Sequence, residues 1–177
     1  IIMRDEKVDN LRLETQAGIL DASRADENMV TIDMGQPGLE WREIPTSEPC
    51  ETLSVSLAVP SLGGHDLPTA SLVNMGNPHA VFFVEDVEDI DLEHLGPKIE
   101  THKFFPEKTN VEFAQILGKN KIRKRVWERG TGVTQACGSG ACAALVAAVR
   151  RALCDRKAEL ILDGGSLFIE WRESDNK

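Results

Sequence analysis

The sequence predicts an α+β fold in which mostly antiparallel strands wrap a central apolar helix. Short alternating or β-branched stretches recur along the whole chain. One segment, "ACAALVAAV" at residues 141–149, is apolar on all sides and must be enclosed on all sides. The regular strand–helix–strand alternation of a purely parallel sheet is missing, which leaves α+β as the class.

Taken in order, "LRLET", "GILDAS" and "MVTIDMG" read as a three-strand meander, with "QA" and "RADEN" as turn material between them. A proline-bearing connection follows, and a change of lobe is expected near residues 35–49. The next strand is expected at 52–59. "PSLGGHDLPT" reads as a loop leading to a strand, a "GNP" turn and an apolar strand at 80–84. In "DIDLEHLGPKIETHKFF" an Asp precedes Leu92, Leu95 and Ile99 at helical spacing. The Gly96-Pro97 pair predicts two short helical pieces rather than one. "NVEFAQIL" and "KIRKRVWERG" around "GKN" form a hairpin, the long helix covers 141–153, and a last hairpin turns at "DGG". No low-complexity segment or internal repeat is evident.

Lys plus Arg total 20 against 29 Asp plus Glu, a net charge of −9 that opposes attraction to nucleic acid or anionic membranes. The longest apolar run is far below the roughly 18 residues of a membrane span. Cys50, Cys137, Cys142 and Cys154 show no disulfide framework, so free thiols in a reducing cytoplasm are expected. Metal-ligand spacings and a dinucleotide glycine motif are also missing. The chain opens on "IIMRDEKVDN" without an initiator Met or a leader pattern. It closes on an alternating strand running into turn residues, so truncation at both ends is expected.

The stretch "RGTGVTQACGSGACAALVAAVRRAL" carries the main chemical signal. A helix start leaves its first N–H groups unpaired and electropositive, and Gly138, Ser139 and Gly140 are small enough for an anion to approach them. The same field stabilises a thiolate, and a cysteine pKa there falls from about 8.5 to roughly 3.5–7.5. Cys137 is therefore a candidate reactive thiol, set against the bland reading of a small core residue. Cys142 and Cys154 read as packing, and Cys50 as a loop residue. On "KIRKRVWERG", alternation puts Ile122, Lys124, Val126 and Glu128 on one side. Arg123, Arg125, Trp127 and Arg129 take the other, read as a solvated face. Glu128 is either a strand-end residue in water or an acid that binds an ammonium or tunes a thiol. Arg129 beside the glycine loop is placed to clamp a carboxylate. "NPH" supplies Asn77 and His79 at a turn, and Asn110 precedes a strand.

"NMGNPHAVFFV", "TNVEFAQI", "VWERGTGVTQACGSGACAA" and "LETQAGIL" together resemble the diaminopimelate epimerase family, along nearly all of the chain and in order. The "ERGTG…ACGSG" element sets it apart from proline racemases. The resemblance implies inversion of LL-2,6-diaminopimelate to the meso form in lysine and peptidoglycan synthesis, without pyridoxal phosphate or metal. Two cysteines act on opposite faces of the α-carbon. Cys137 matches one, Gly138 and Ser139 match amide donors to the α-carboxylate, and Asn77, Asn110, Glu128 and Arg129 match substrate-binding positions. His79 and Glu128 match residues that tune the thiols.

The family fold is two lobes, each a barrel-like sheet around a helix, with the site between them. By the same resemblance, residues 1–36 are the tail of a preceding lobe and 37–177 are the C-terminal lobe without its final returning strand. The other catalytic cysteine belongs to a "CGNG" element of the missing N-terminal lobe, which is not in this chain. The chain alone is therefore expected to be inactive. A homodimer stays open. So do two other readings, a cysteine-nucleophile acyl transferase using Cys137 and His79, and a noncatalytic carboxylate-binding module.

Overall fold

The fold comes from a computed structural model that describes residues 3, 8–15, 18–26, 28–59 and 67–177. The expected "QA" turn, Glu27 of "RADEN" and the loop at 60–66 lie outside these residues. The meander forms: β1 (Asn10–Thr15), β2 (Gly18–Arg24) and β3 (Val30–Asp33) pair antiparallel as a separate three-stranded sheet. Ile19, Val30 and Ile32 on it are exposed.

A seven-stranded sheet holds the rest: β4 (Ala70–Asn74), β5 (Pro78–Phe83), β6 (Asn110–Gly118), β7 (Lys121–Glu128), β8 (Gly132–Thr134), β9 (Lys157–Leu162) and β10 (Gly165–Glu170). The order is β10-β9-β7-β6-β5-β4, with β8 on the end of β7. Only β5–β6 and β7–β9 run parallel among the described pairs, and each of those crossovers carries a helix, α1 (Leu92–Glu100) or α2 (Gly138–Arg150). α2 touches β4, β5, β6, β7, β9 and β10, so the enclosure expected for an all-round apolar helix is met.

The sheet does not close into the expected barrel-like form. The outer edge of β4 pairs with loop residues instead, through bridges from Asn74 to Gly38 and from Ala70 to Val55. Both faces are buried. Val73, Val81, Ala114, Ile122 and Leu160 pack against α2, while Leu72, Ala80, Phe82, Val111 and Phe113 pack on the opposite side with Leu92, Leu95 and Ile99 of α1. Alternate residues of the same strands thus serve two cores, which is why β5 reads as a continuous apolar run.

Four local expectations need correcting. Residues 52–59 form no strand: Val55, Leu57 and Val59 are buried in alternation, but the backbone meets that of β4 only at Thr52, whose carbonyl accepts from the Leu72 amide at 2.7 Å, and at the isolated Val55 bridge. α1 is one helix with Pro97 inside it, capped by the Asp91 side chain, which accepts from the His94 amide at 3.0 Å. Burial of Leu92, Leu95 and Ile99 outweighs the backbone bond that Pro97 forfeits. α2 starts and ends three residues earlier than 141–153, because Cys137 itself is the N-cap and Ala152 turns out at φ 57°. The arginine stripe of β7 is not a solvated face. Arg123 donates to Glu88 at 2.7 Å and also bonds Asp163, and the Trp127 indole lies against Gly96 of α1.

Candidate active site

Period-two alternation sets one row of side chains on the α2 face of the sheet. His79 on β5 lies in register with Asn110 on β6, and Glu112 sits two residues further along the same face. On β7 the matching row is Ile122, Lys124, Val126 and Glu128, with Ala114 opposite Lys124 and Glu112 opposite Val126. Glu112 and Lys124 are therefore diagonal neighbours, both fully buried under the first turn of α2.

That turn begins at Cys137, whose backbone is extended at φ −140° and ψ 109°. Its Sγ accepts from the Gly140 amide at 3.3 Å and lies 3.5 Å from the Ser139 hydroxyl. The amides of Gly138 and Ser139 find no acceptor among the described residues. Gly138 is exposed and lines a cavity of about 590 Å³ between β3, α2 and β10. Two free N–H groups and one sulfur thus share the positive end of an enclosed 13-residue helix.

The field does not lower the thiol's proton affinity as the sequence reading expects. Burial pushes the Cys137 thiol up, Glu112 adds to that effect, and Lys124, the Ser139 hydroxyl and the Gly140 amide only partly offset it. Desolvation at a residue that is only 7% exposed outweighs the helix end. Cys142, one turn further in, is pushed up to about 11 by burial, with Cys137 adding to it.

Among the expected site residues, His79 is fully buried, with Nδ1 2.7 Å from Glu112 Oε1 and Nε2 2.8 Å from Asn77 Oδ1. Asn110 donates to the Pro78 carbonyl at 2.8 Å and accepts from the Arg129 amide at 2.9 Å, so it clamps the start of β5 to the loop after β7. Glu128 accepts a short hydrogen bond from Thr134, and the Arg129 guanidinium donates to the Glu107 carbonyl at 3.1 Å. Glu100 fixes the same loop: it accepts from the Trp127 indole at 2.7 Å and the Gly130 amide at 3.0 Å. Burial alone would raise the Glu100 carboxyl, but these donors and Lys108 hold it below its usual value.

Glu112 and Lys124 were not singled out in the sequence, although the alternation that flagged Glu128 also placed Lys124 between two apolar residues. The signal in the sequence was "IRKRV", in which Lys124 stands between Ile122 and Val126 on one face.

The diaminopimelate epimerase family model matches residues 71–177. The chain belongs to that family. Diaminopimelate epimerase of Acidiphilium cryptum (strain JF-5) is 50% identical over 163 residues, which is 92% of this chain and 57% of that protein. The enzyme of the same name from Phenylobacterium zucineum (strain HLK1) is 50% identical over 172 residues, 97% of this chain and 62% of that one. The chain thus spans about three-fifths of the length of the curated relatives it matches. The fold is similar to part of a hydroxyproline epimerase from Agrobacterium vitis, with a TM-score of 0.62 at 16% identity over 92% of this chain and 51% of that one. Family membership leaves the acyl-transfer and binding-module readings without support.

No helix among the described residues is long and apolar enough to cross a membrane.

Proposed function

We propose that this chain supplies one half of the reaction centre of a two-thiol epimerase that inverts LL-2,6-diaminopimelate to the meso form without a cofactor. The observation that carries the reading is the placement of Cys137 Sγ at the start of α2 beside the free amides of Gly138 and Ser139. An amino-acid α-hydrogen is a very weak acid. Its removal leaves an electron pair that must spread into the α-carboxylate, and preorganised N–H donors in a dry site stabilise that charge. The carboxylate binds at Gly138 and Ser139. Asn77, Asn110, Glu128 and Arg129 orient the amino and carboxyl groups.

In one direction, a thiolate from the other lobe takes the α-proton and Cys137, as thiol, returns one to the opposite face. In reverse, the Cα–H bond breaks towards the Cys137 thiolate. A thiol raised by burial is the proton donor in its resting state. His79 and Glu128 tune its surroundings.

Residues 1–36 belong in this reading to the preceding lobe and 37–177 to the C-terminal one; the separate sheet of β1–β3 supports the division. The partners in this reading are diaminopimelate and the N-terminal lobe, and the compartment is the cytoplasm.

The test is solvent deuterium incorporation at the α-carbon of diaminopimelate. The 177-residue chain alone is expected to label no faster than its Cys137→Ser variant. Joined to its upstream lobe, it is expected to label and to form the meso product, with Cys137→Ser slowing both by about 10² to 10⁴. Equal rates for the joined protein and its Cys137→Ser variant would reject the reading.

A further inference from the structure

We propose that Lys124 and Glu112 form a buried charge couple that sets the proton affinity of Cys137, the ammonium favouring the thiolate and the carboxylate favouring the thiol. Both side chains are fully buried, and Lys124 Nζ and Glu112 Oε2 have no hydrogen-bond partner among the described residues. Packing does not account for them. Lys124 stands between Ile122 and Val126 on a row facing α2, where an apolar side chain of similar length fills the same space without desolvating a charge.

The geometry aims both groups at one point. A Cβ added to Gly140 would lie 2.6 Å from Glu112 Oε1, 2.9 Å from Lys124 Nζ and 3.1 Å from Cys137 Sγ. Carboxylate, ammonium and sulfur therefore meet around a glycine whose own amide donates to the sulfur. In this dry setting a charge acts on its neighbour with little screening. His79 bonds the same oxygen, Oε1, that faces Gly140, which fixes the carboxylate beside the glycine while leaving Oε2 unbonded. Among the described residues, the other ionisable groups on this face are His79 from β5, Glu128 at the end of β7, Cys142 within α2 and Cys154 beyond its end; β9 and β10 turn only Ala, Leu and Ile side chains toward the helix. The opposed effects of Glu112 and Lys124 on the thiol follow the same geometry.

Both residues are positioning groups, since they act through the sulfur. The inference rests on the epimerase reading only for its catalytic meaning, because thiol titration is measured with neither substrate nor partner lobe. The experiment is peptide-resolved alkylation of the 177-residue chain by iodoacetamide between about pH 6 and pH 10, with Cys50 and Cys154, whose thiols neither Lys124 nor Glu112 reaches, as internal references. Lys124→Met is expected to move the Cys137 profile about one pH unit upward and to slow modification at pH 8 roughly tenfold. Glu112→Gln is expected to move it downward and to speed modification.

Opposite signs separate electrostatics from packing, because a loosened site speeds both variants. The double variant Glu112→Gln, Lys124→Met is expected to return toward wild type, and it and Glu112→Gln decide the question if Lys124→Met alone does not fold. Single-variant shifts of the same sign, or single-variant profiles within twofold of wild type, would overturn the couple. Neither result bears on deuterium exchange by the joined protein.

Discussion

Gly140 shows how a single atom position is set by groups far apart in sequence. Alanine ordinarily stabilises a helix interior by about 1 kcal/mol over glycine. Here its methyl would press on Glu112, Lys124 and Cys137 at once, and Glu112 cannot yield without loosening its bond to His79. Overpacking of this kind costs about 1–3 kcal/mol, so Gly140→Ala is expected to destabilise the chain in urea despite the better helix former. Unchanged or greater stability would mean that the charged side chains move freely. Cys137, His79 and Asn110 were legible from "ACGSG", "NPH" and "TNVEF". Glu112 and Lys124 were not, because a charge on an alternating strand looks solvated until the element covering it is known.

At the scale of elements, α1 repeats the contest between local preference and packing. Gly96 and Pro97 argue for a break, yet the helix runs through them because the Trp127 indole lies directly on the Gly96 backbone and Glu100 holds the indole N–H. A Cβ at Gly96 would fall 2.5 Å from two ring atoms. Gly96→Ala is accordingly expected to lower the urea midpoint, by an equivalent of about 1–3 kcal/mol, and to disturb the loop that carries Arg129 and Gly130. A stabilising effect would show that the indole is not fixed. The apolar alternation at 52–59 is real, but the β4 backbone meets that of the segment only near its start, at Thr52 and Val55, and no ladder forms. The arginine stripe of β7 departs from the expected solvated face for a related reason: α1 and its approach cover that side of the sheet.

Across the whole molecule, α2 joins the site to the sheet. Its C-terminal end is fastened by Arg151, which donates to the Ser71 hydroxyl at 2.6 Å and the Leu53 carbonyl at 3.0 Å. The β1–β3 sheet is tied to the chain end by Arg172 and Lys177 on Asp33, whose carboxyl is held low by the Gly35 amide and these cations. Alkaline pH acts on the core instead. The Cys142 thiol is raised by burial from 9.0 to about 11, so the fold keeps a proton that the unfolded chain releases. That contribution is complete below about pH 9 and is lost as pH climbs towards about 11, a fall of about 2–3 kcal/mol. Denaturation in urea at pH 8 and pH 11 is expected to show the fall, and Cys142→Ala to reduce it. An undiminished fall in that variant would assign it to the other thiols, which burial shifts the same way.

The sequence by itself determined what depends on near neighbours: most of the period-two strands and their hairpin turns, the Asp91 cap, an apolar helix close behind Cys137, and the family motifs. Tertiary structure alone decided that the sheet stays open, that one face of β7 is roofed by α1, and that two charges lie buried beneath a sulfur. The reason is physical. A turn or a cap is settled by bonds a few residues long, whereas burial and proton affinity depend on which distant segment comes to rest on top, and no local pattern records that.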